Sequence, residues 1–181
     1  MQRYLRHLFQ LILSPGNGWE DIARANDTPR AIASSGFYPL IAIASVSVFV
    51  QGIYHTHLPF LLLFMRMIVT FLCYFISYFF GTFILSVLLE RTLTGRYDQR
   101  RADTFVLYTL GLLSLISLIL NCLPVTSMML FFLPLYVALI QWKATAYLQV
   151  SAPRTGIFML IAILGVLLPP YFFYLLFSII L

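Results

Sequence analysis

Acidic side chains are scarce in this chain of 181 residues, which has six Asp and Glu residues against eleven Lys and Arg residues. All six lie outside the long apolar stretches that make up most of the sequence. Transporters coupled to protons or cations usually need carboxylates within the membrane. The distribution of acidic residues therefore argues against coupled cation transport.

Residues suited to metal binding or catalysis are also few. The two cysteines, Cys73 and Cys122, fall in or beside apolar stretches, which argues against a disulfide framework. His55 and His57 would face one side of an extended segment, but two imidazoles without a third ligand are a weak metal signal. The sequence also lacks paired carboxylates, a phosphate-binding glycine loop and a nucleophile–base motif. We therefore expect no metal, no other cofactor and no enzymatic activity.

Long apolar runs dominate what is present. Hydrophobic residues make up 61% of the chain, and the mean hydropathy is +0.94. Because about 20 apolar residues cross a bilayer as a helix, the sequence predicts an all-α membrane bundle of five transmembrane helices, at residues 36–54, 59–89, 104–123, 126–150 and 156–181. The second stretch is long enough to be tilted or split, and Pro169-Pro170 predicts a kink in the fifth.

Arginines mark one side of this predicted bundle. Nine of them lie in the N-terminal segment, in the loop between the second and third spans and in the last loop: Arg3, Arg6, Arg24, Arg30, Arg91, Arg96, Arg100, Arg101 and Arg154. The connections at 54–58 and 122–126 and the C-terminal end contain no Lys or Arg. The positive-inside rule then predicts a cytoplasmic N-terminus and an external C-terminus. The net charge of +5 reflects this topology, and we expect no nucleic-acid partner.

Residues 1–34 form a separate cytoplasmic segment of short interfacial helices. Over residues 2–13 the helical period places four apolar side chains on one face, Leu5, Leu8, Phe9 and Ile12. Arg3 and Arg6 take the other face. Two interpretations remain open: the helix lies in the headgroup layer with its arginines on anionic lipid, or it packs against the end of the bundle. We expect Arg3, Arg6 and Trp19 to contact the membrane surface.

The second span has a clear two-sided pattern. Its small and polar residues fall within an arc of roughly 80° at 100° per residue: Arg66, Thr70, Cys73, Ser77 and Gly81. Phenylalanines occupy the opposite side: Phe60, Phe64, Phe71, Phe75 and Phe79. Since helices in lipid approach each other through small and polar residues, we expect the first set to face the bundle and the second to face lipid.

Four residues are candidate contacts for a ligand or a lipid: Arg66, Thr70, Asn121 and Lys143. Arg66 lies about 10 Å below the outer end of its span, at 1.5 Å per residue. No carboxylate is available there, so its partner would be Asn121, a histidine, a backbone carbonyl or a lipid phosphate. Lys143 lies near the cytoplasmic end of its span, where it could instead extend to the interface.

Several short motifs follow each other in an order known from one family. They are a helix ending before Pro15, Trp19-Glu20-Asp21-Ile22, Phe37-Tyr38-Pro39 at the first span, a polar loop before Phe105–Tyr108, and a break at Pro124. Together they resemble the Yip family of membrane proteins, named for members that interact with Ypt/Rab GTPases. The resemblance covers nearly the whole chain.

That resemblance implies five closely spaced spans with a cytoplasmic N-terminus and an extracytoplasmic C-terminus. A proline usual after the third-span tyrosine is missing, with Gly111 nearby, and the long cytosolic N-terminal region of eukaryotic members is absent. The better match is therefore to bacterial inner-membrane members, without Rab binding. The family implies a non-enzymatic role in membrane trafficking or organisation.

Two functions are compatible with these observations. The first is a non-enzymatic, Yip-like protein that organises membrane lipids, a protein partner or a homo-oligomer. The second is a small transporter or lipid-handling protein that recognises an anionic group through Arg66. The surroundings of Arg66 distinguish the two, because a dry and tightly packed contact would argue against the second.

Overall fold

A computed structural model describes residues 1–54, 58–89, 98–124 and 132–180. These residues form helices and no strand, which confirms the all-α class. Seven helical segments follow one another: α1 Gln2–Leu13, α2 Pro15–Ala25, α3 Pro29–Tyr54, α4 Phe60–Leu88, α5 Gln99–Cys122, α6 Leu133–Lys143 and α7 Ala152–Ile179.

Four of these helices, α3, α4, α5 and α7, are long and apolar enough to cross a membrane. The predicted second span is one continuous helix of 29 residues. Helices α3 and α5 begin before the apolar spans at 36–54 and 104–123, because capping side chains start them within polar sequence. Thr28 accepts a hydrogen bond from the Ala31 N–H at 3.3 Å, and Asp98 accepts one from the Arg100 N–H at 3.0 Å. Hydropathy marks the apolar part of a helix and not its ends.

The predicted span at 126–150 is not confirmed as a fifth crossing helix. Within the described residues its only α-helix is α6, with 11 residues, or roughly 16 Å at 1.5 Å per residue, about half of a ~30 Å hydrocarbon core. After α6 the chain turns, and Gln149 has a left-handed φ of 56°. Residues 125–131 lie outside the described part of the chain.

Helix α7 changes its winding directly before Pro169-Pro170. Residues Ile163–Leu167 form a π-helical turn, in which the Leu168 N–H donates to the Ile163 carbonyl at 2.9 Å. The two prolines cannot donate backbone hydrogen bonds to the preceding turn, and their rings crowd its carbonyls. The wider turn accommodates both effects, so regular α-helix is interrupted at the prolines; the kink that the sequence predicts there stays a prediction.

The two faces of α4 are arranged largely as predicted. Thr70, Cys73, Ser77 and Gly81 are buried, and a Cβ at Gly81 would come within 3.2 Å of the Gly165 carbonyl of α7. On the other side Phe60, Phe64 and Phe79 are exposed, whereas Phe71 and Phe75 are half-buried. Close approach of α4 and α7 at their glycines is what turns the small residues inward.

The N-terminal helices pack against the bundle. Tyr4, His7, Leu8 and Leu11 of α1 are buried, while Phe9, which the sequence placed on the apolar face, is 53% exposed. The buried face is therefore rotated from the predicted one, because Tyr4 and His7 also pack inward, against Tyr108. Of the two interpretations, the structure shows the one in which α1 docks on the protein.

The prediction that Trp19 contacts the membrane surface is wrong. Trp19 is only 2% exposed, and its indole N–H donates to the Ile140 carbonyl of α6 at 3.0 Å. Its ring stacks on Tyr147, with 5.3 Å between ring centroids. Tryptophan is common at membrane interfaces because its indole N–H can donate there to water or a headgroup. In this protein the Trp19 N–H donates to a backbone carbonyl, so the side chain can be buried.

A cavity beside Arg66 at the ends of α3, α5 and α7

A cavity of about 240 Å³ lies where the C-terminal parts of α3, α5 and α7 meet the first half of α4. Its polar and aromatic lining residues are Gln51, Arg66, Thr70, Tyr74, Ser117, Asn121, Tyr171 and Tyr174. The N-terminal helices dock at the other end of α5, where Tyr4 bonds to Leu107. The cavity and the N-terminal helices are thus at opposite ends of the bundle.

Three of the four predicted ligand contacts, Arg66, Thr70 and Asn121, come together in this cavity. Lys143 does not line it: the residue is exposed on α6, with its Nζ 4.7 Å from the centroid of the Trp142 ring. The position of Lys143 along its own helix could not predict which neighbour that helix faces.

Arg66 brings a positive charge into the cavity without a carboxylate beside it. It is half-buried, none of the cavity-lining residues is acidic, and the ion pairs among the described residues involve only Arg3, Arg24 and Arg101 on the basic side. A charge in surroundings of low dielectric interacts more strongly than one in water. Arg66 is therefore available to an anion that enters the cavity.

Asn121 builds the wall of the cavity. Its Oδ1 accepts a hydrogen bond of 2.7 Å from Gln51 Nε2, and its Nδ2 donates to Ser47 Oγ at 2.9 Å and to the Ala44 carbonyl at 3.3 Å. Both ends of the side-chain amide are thus engaged in joining α5 to α3. Asn121 positions the cavity wall and leaves ligand binding to its neighbours.

Two more lining side chains have hydrogen bonds within the protein. The Thr70 hydroxyl donates to the Arg66 carbonyl at 2.8 Å, a bond within its own helix. The Tyr74 hydroxyl, which lies 3.0 Å from the Leu113 carbonyl and 2.5 Å from Ser117 Oγ, joins α4 to α5. These bonds order the cavity wall around Arg66.

Tyr171 and Tyr174 are the lining groups that leave donors free. They are three residues apart on α7, hence on one face of the helix, and are 45% and 44% exposed. Their hydroxyls make no hydrogen bond to the rest of the described chain. With Arg66 they supply a guanidinium and two phenolic donors, a set that matches an anionic oxygen ligand.

The cavity does not suit a metal. The described residues contain no group of three or more His, Cys, Asp or Glu side chains that could hold one. His55 and His57 lie outside the described residues. The lining is rich in donors and has one cation, which is the arrangement expected for an anion and not for a metal ion.

Sequence reasoning missed Gln51, Tyr171 and Tyr174 as cavity residues. Gln51 carried a signal, since it is the only side-chain amide in the first predicted span. The two tyrosines followed the proline pair, so the face of α7 that meets α4 could not be extrapolated through the interruption. Their role depends on how α7 is rotated after the π turn.

Comparison of the chain with protein-family models, with curated proteins and with solved structures gives no match.

Proposed function

We propose that this is a non-enzymatic integral membrane protein that binds an anionic ligand, above all the headgroup of an anionic lipid, in the cavity around Arg66. The observation that carries the proposal is Arg66, which lines a cavity with no acidic residue and with two tyrosines whose hydroxyls have no hydrogen-bond partner among the described residues. Burying a cation without a partner is costly in a membrane. A bound anion would supply that partner.

The size of the cavity fits a headgroup better than a whole lipid. A cavity of ~150 Å³ in an engineered protein core holds one benzene molecule. The present volume of about 240 Å³ accordingly suits a phosphate or carboxylate with a few attached carbon atoms. Acyl chains would lie outside it, against exposed apolar side chains of α4 and α7 such as Phe64 and Leu175.

The distribution of charge supports an orientation in which the cavity opens on the outer side. The docked N-terminal helices carry Arg3, Arg6 and Arg24, and Arg154 lies at the start of α7. These positions favour a cytoplasmic side, with Arg66 near the opposite end. We keep five spans, a bacterial inner membrane and a Yip-like relationship within this proposal; they rest on the sequence pattern.

Native mass spectrometry of the detergent-purified protein tests the headgroup proposal. Wild type should retain an anionic lipid, Arg66→Ala should lose it, and Arg66→Lys should retain part of it because the charge is kept without the bidentate geometry. Arg154→Ala is the matched control for loss of one positive charge at an exposed site. Equal lipid retention by wild type and Arg66→Ala would contradict the proposal.

The same spectra test the second function, an organiser of protein partners. The exposed phenylalanines of α4, with Phe60 at 73% and Phe79 at 52%, form an apolar face that a second copy could cover. Oligomers that persist in all variants, with no lipid that depends on Arg66, would favour this function. Arg66 would then be a structural residue.

A further inference from the structure

A second polar cleft lies at the other end of the bundle, between α1 and α2. Its volume is about 550 Å³, and its lining includes Arg3, Arg6, His7, Gln10, Asp21 and Arg24. None of these residues belongs to the Arg66 cavity. The cleft therefore needs its own explanation.

More basic than acidic side chains line the cleft. It is lined by three guanidinium groups and one carboxylate. That carboxylate, Asp21, already accepts a hydrogen bond from Gln10 and lies 3.7 Å from Arg24. Arg3 pairs at 3.1 Å with Asp27, and Arg24 lies 3.4 Å from Glu20; neither of these two carboxylates is part of the lining. Arg6 forms no ion pair with any described residue, so its charge is free.

His7 is the unexplained group in this cleft. His7 is only 3% exposed, and neither ring nitrogen has a hydrogen-bond partner among the described residues. The ring packs edge-on against Tyr108, with 6.2 Å between centroids. Burial, and then the nearby Arg6 and Arg3, lower the pKa of His7. The imidazole thus has two buried ring nitrogens without a hydrogen-bond partner among the described residues, in a residue that lines the cleft.

We propose that this cleft binds a phosphate monoester, with Arg6, Arg3 and Arg24 holding its charge and His7 donating a hydrogen bond to one of its oxygens. Arg6 supplies the unpaired positive charge, and Arg3 and Arg24 would exchange their carboxylate partners for the phosphate. Each guanidinium group can donate two parallel hydrogen bonds to the oxygens of one phosphate. A phosphate monoester occurs both in phosphatidic-acid-type lipid headgroups and in soluble molecules, and both have the required chemistry.

A titration of the full-length protein in nanodiscs of zwitterionic lipid tests this site. The probes are inorganic phosphate, a short-chain phosphatidic acid and, as the diester control, a short-chain phosphatidylcholine. The readout is the ¹⁵N signal of the His7 ring, assigned by its loss in His7→Phe. We expect saturable shifts with phosphatidic acid or phosphate and none with phosphatidylcholine. Tighter binding of phosphatidic acid, by tenfold or more, would identify a lipid headgroup; equal binding of inorganic phosphate would identify a soluble ligand.

Matched variants separate a built site from general surface charge. Arg6→Ala should weaken binding by about tenfold or more, as loss of a charge-assisted hydrogen bond does. Arg154→Ala, an exposed arginine outside the cleft, should change it less than about twofold. Equal losses in both variants, or a His7 signal that does not move at saturating probe, would overturn the proposal. The wild-type titration decides even if a variant fails to fold.

This site stands or falls independently of the Arg66 cavity. Arg66→Ala leaves every residue of the α1–α2 cleft in place, so it should leave the His7 titration unchanged. Loss of the His7 response in Arg66→Ala would mean that a single bound ligand, dependent on Arg66, explains both observations. It would overturn the second site.

Discussion

The Tyr4 hydroxyl of α1 donates a hydrogen bond of 2.8 Å to the Leu107 carbonyl of α5. Tyr4 is only 4% exposed, and its ring lies against Gly36 of α3 and Gly111 of α5. A Cβ at either glycine would collide with the Tyr4 side chain. The position of Tyr4 thus depends on this hydrogen bond and on two positions where a side chain is not tolerated.

Replacing Gly111 by alanine should therefore loosen α1. The new methyl group would meet the Tyr4 hydroxyl and lie 3.0 Å from Tyr4 Cζ, forcing the ring from its place. We expect a loss of about 1–3 kcal/mol, as is usual for overpacking. The measurement is thermal unfolding in a fixed detergent, together with protease sensitivity of the N-terminal segment.

Two variants control this experiment. Gly156→Ala adds the same methyl group in open space, with nothing within 4 Å, and should be neutral or slightly stabilising. Tyr4→Phe removes the hydroxyl that the new methyl would meet, so it should be less harmful in the Gly111→Ala background than in wild type. Additive effects of the two changes would contradict the steric account.

The amide pair Gln51–Asn121 should behave as one unit. Asn121→Leu leaves the Gln51 amide and its other partners without the bonds that join α3 to α5, which should cost about 1–3 kcal/mol. Gln51→Leu alone should also destabilise. The double variant should lose less than the sum of both, with a coupling of roughly 0.5–3 kcal/mol. Independent, additive losses would show that the bond does not hold α3 on α5.

Because of His7, we expect the free energy of unfolding to fall on mild acidification. Its pKa in the folded protein is lowered by burial and by the arginines beside it, while the unfolded chain titrates near the ordinary value of 6.5. Below about pH 6.5 the unfolded chain binds the additional proton first. The stability that neutral His7 contributes is thus complete above the ordinary histidine pKa. It declines as the pH falls from there toward the lower pKa of His7 in the folded protein.

Comparison with His7→Phe isolates this contribution, since phenylalanine keeps an aromatic ring against Tyr108 but does not titrate. Unfolding of both proteins across the range from pH 7.5 to about 5.5, on either side of the histidine pKa, should show a steeper decline for wild type. Asp21 and Asp27 act on His7 in the opposite direction to Arg3 and Arg6. Parallel curves would mean that His7 does not change its protonation on unfolding.

Part of the candidate site could be predicted from single helices. The stripe from Arg66 to Gly81 indicated the inward face of α4, and the lack of a nearby acid singled out Arg66. By contrast, Lys143 and Trp19 were assigned from their position along the chain. Their surroundings depend on how α6 and α2 pack against other helices, as the Trp19–Ile140 bond shows. The periodicity of a single helix does not predict this packing.

The sequence by itself determined the helical class, the apolar stretches and the small-residue face of α4. Each is a local property, because hydropathy and a period of 3.6 residues act within one segment. The tertiary structure alone decided that α6 is short, that Tyr4 docks between two glycines, and that Gln51, Asn121 and Tyr171 meet around Arg66. These features depend on the relative rotation and depth of whole helices. Both are set by contacts between residues far apart in the sequence, such as the bond from Tyr4 to Leu107, 103 positions away.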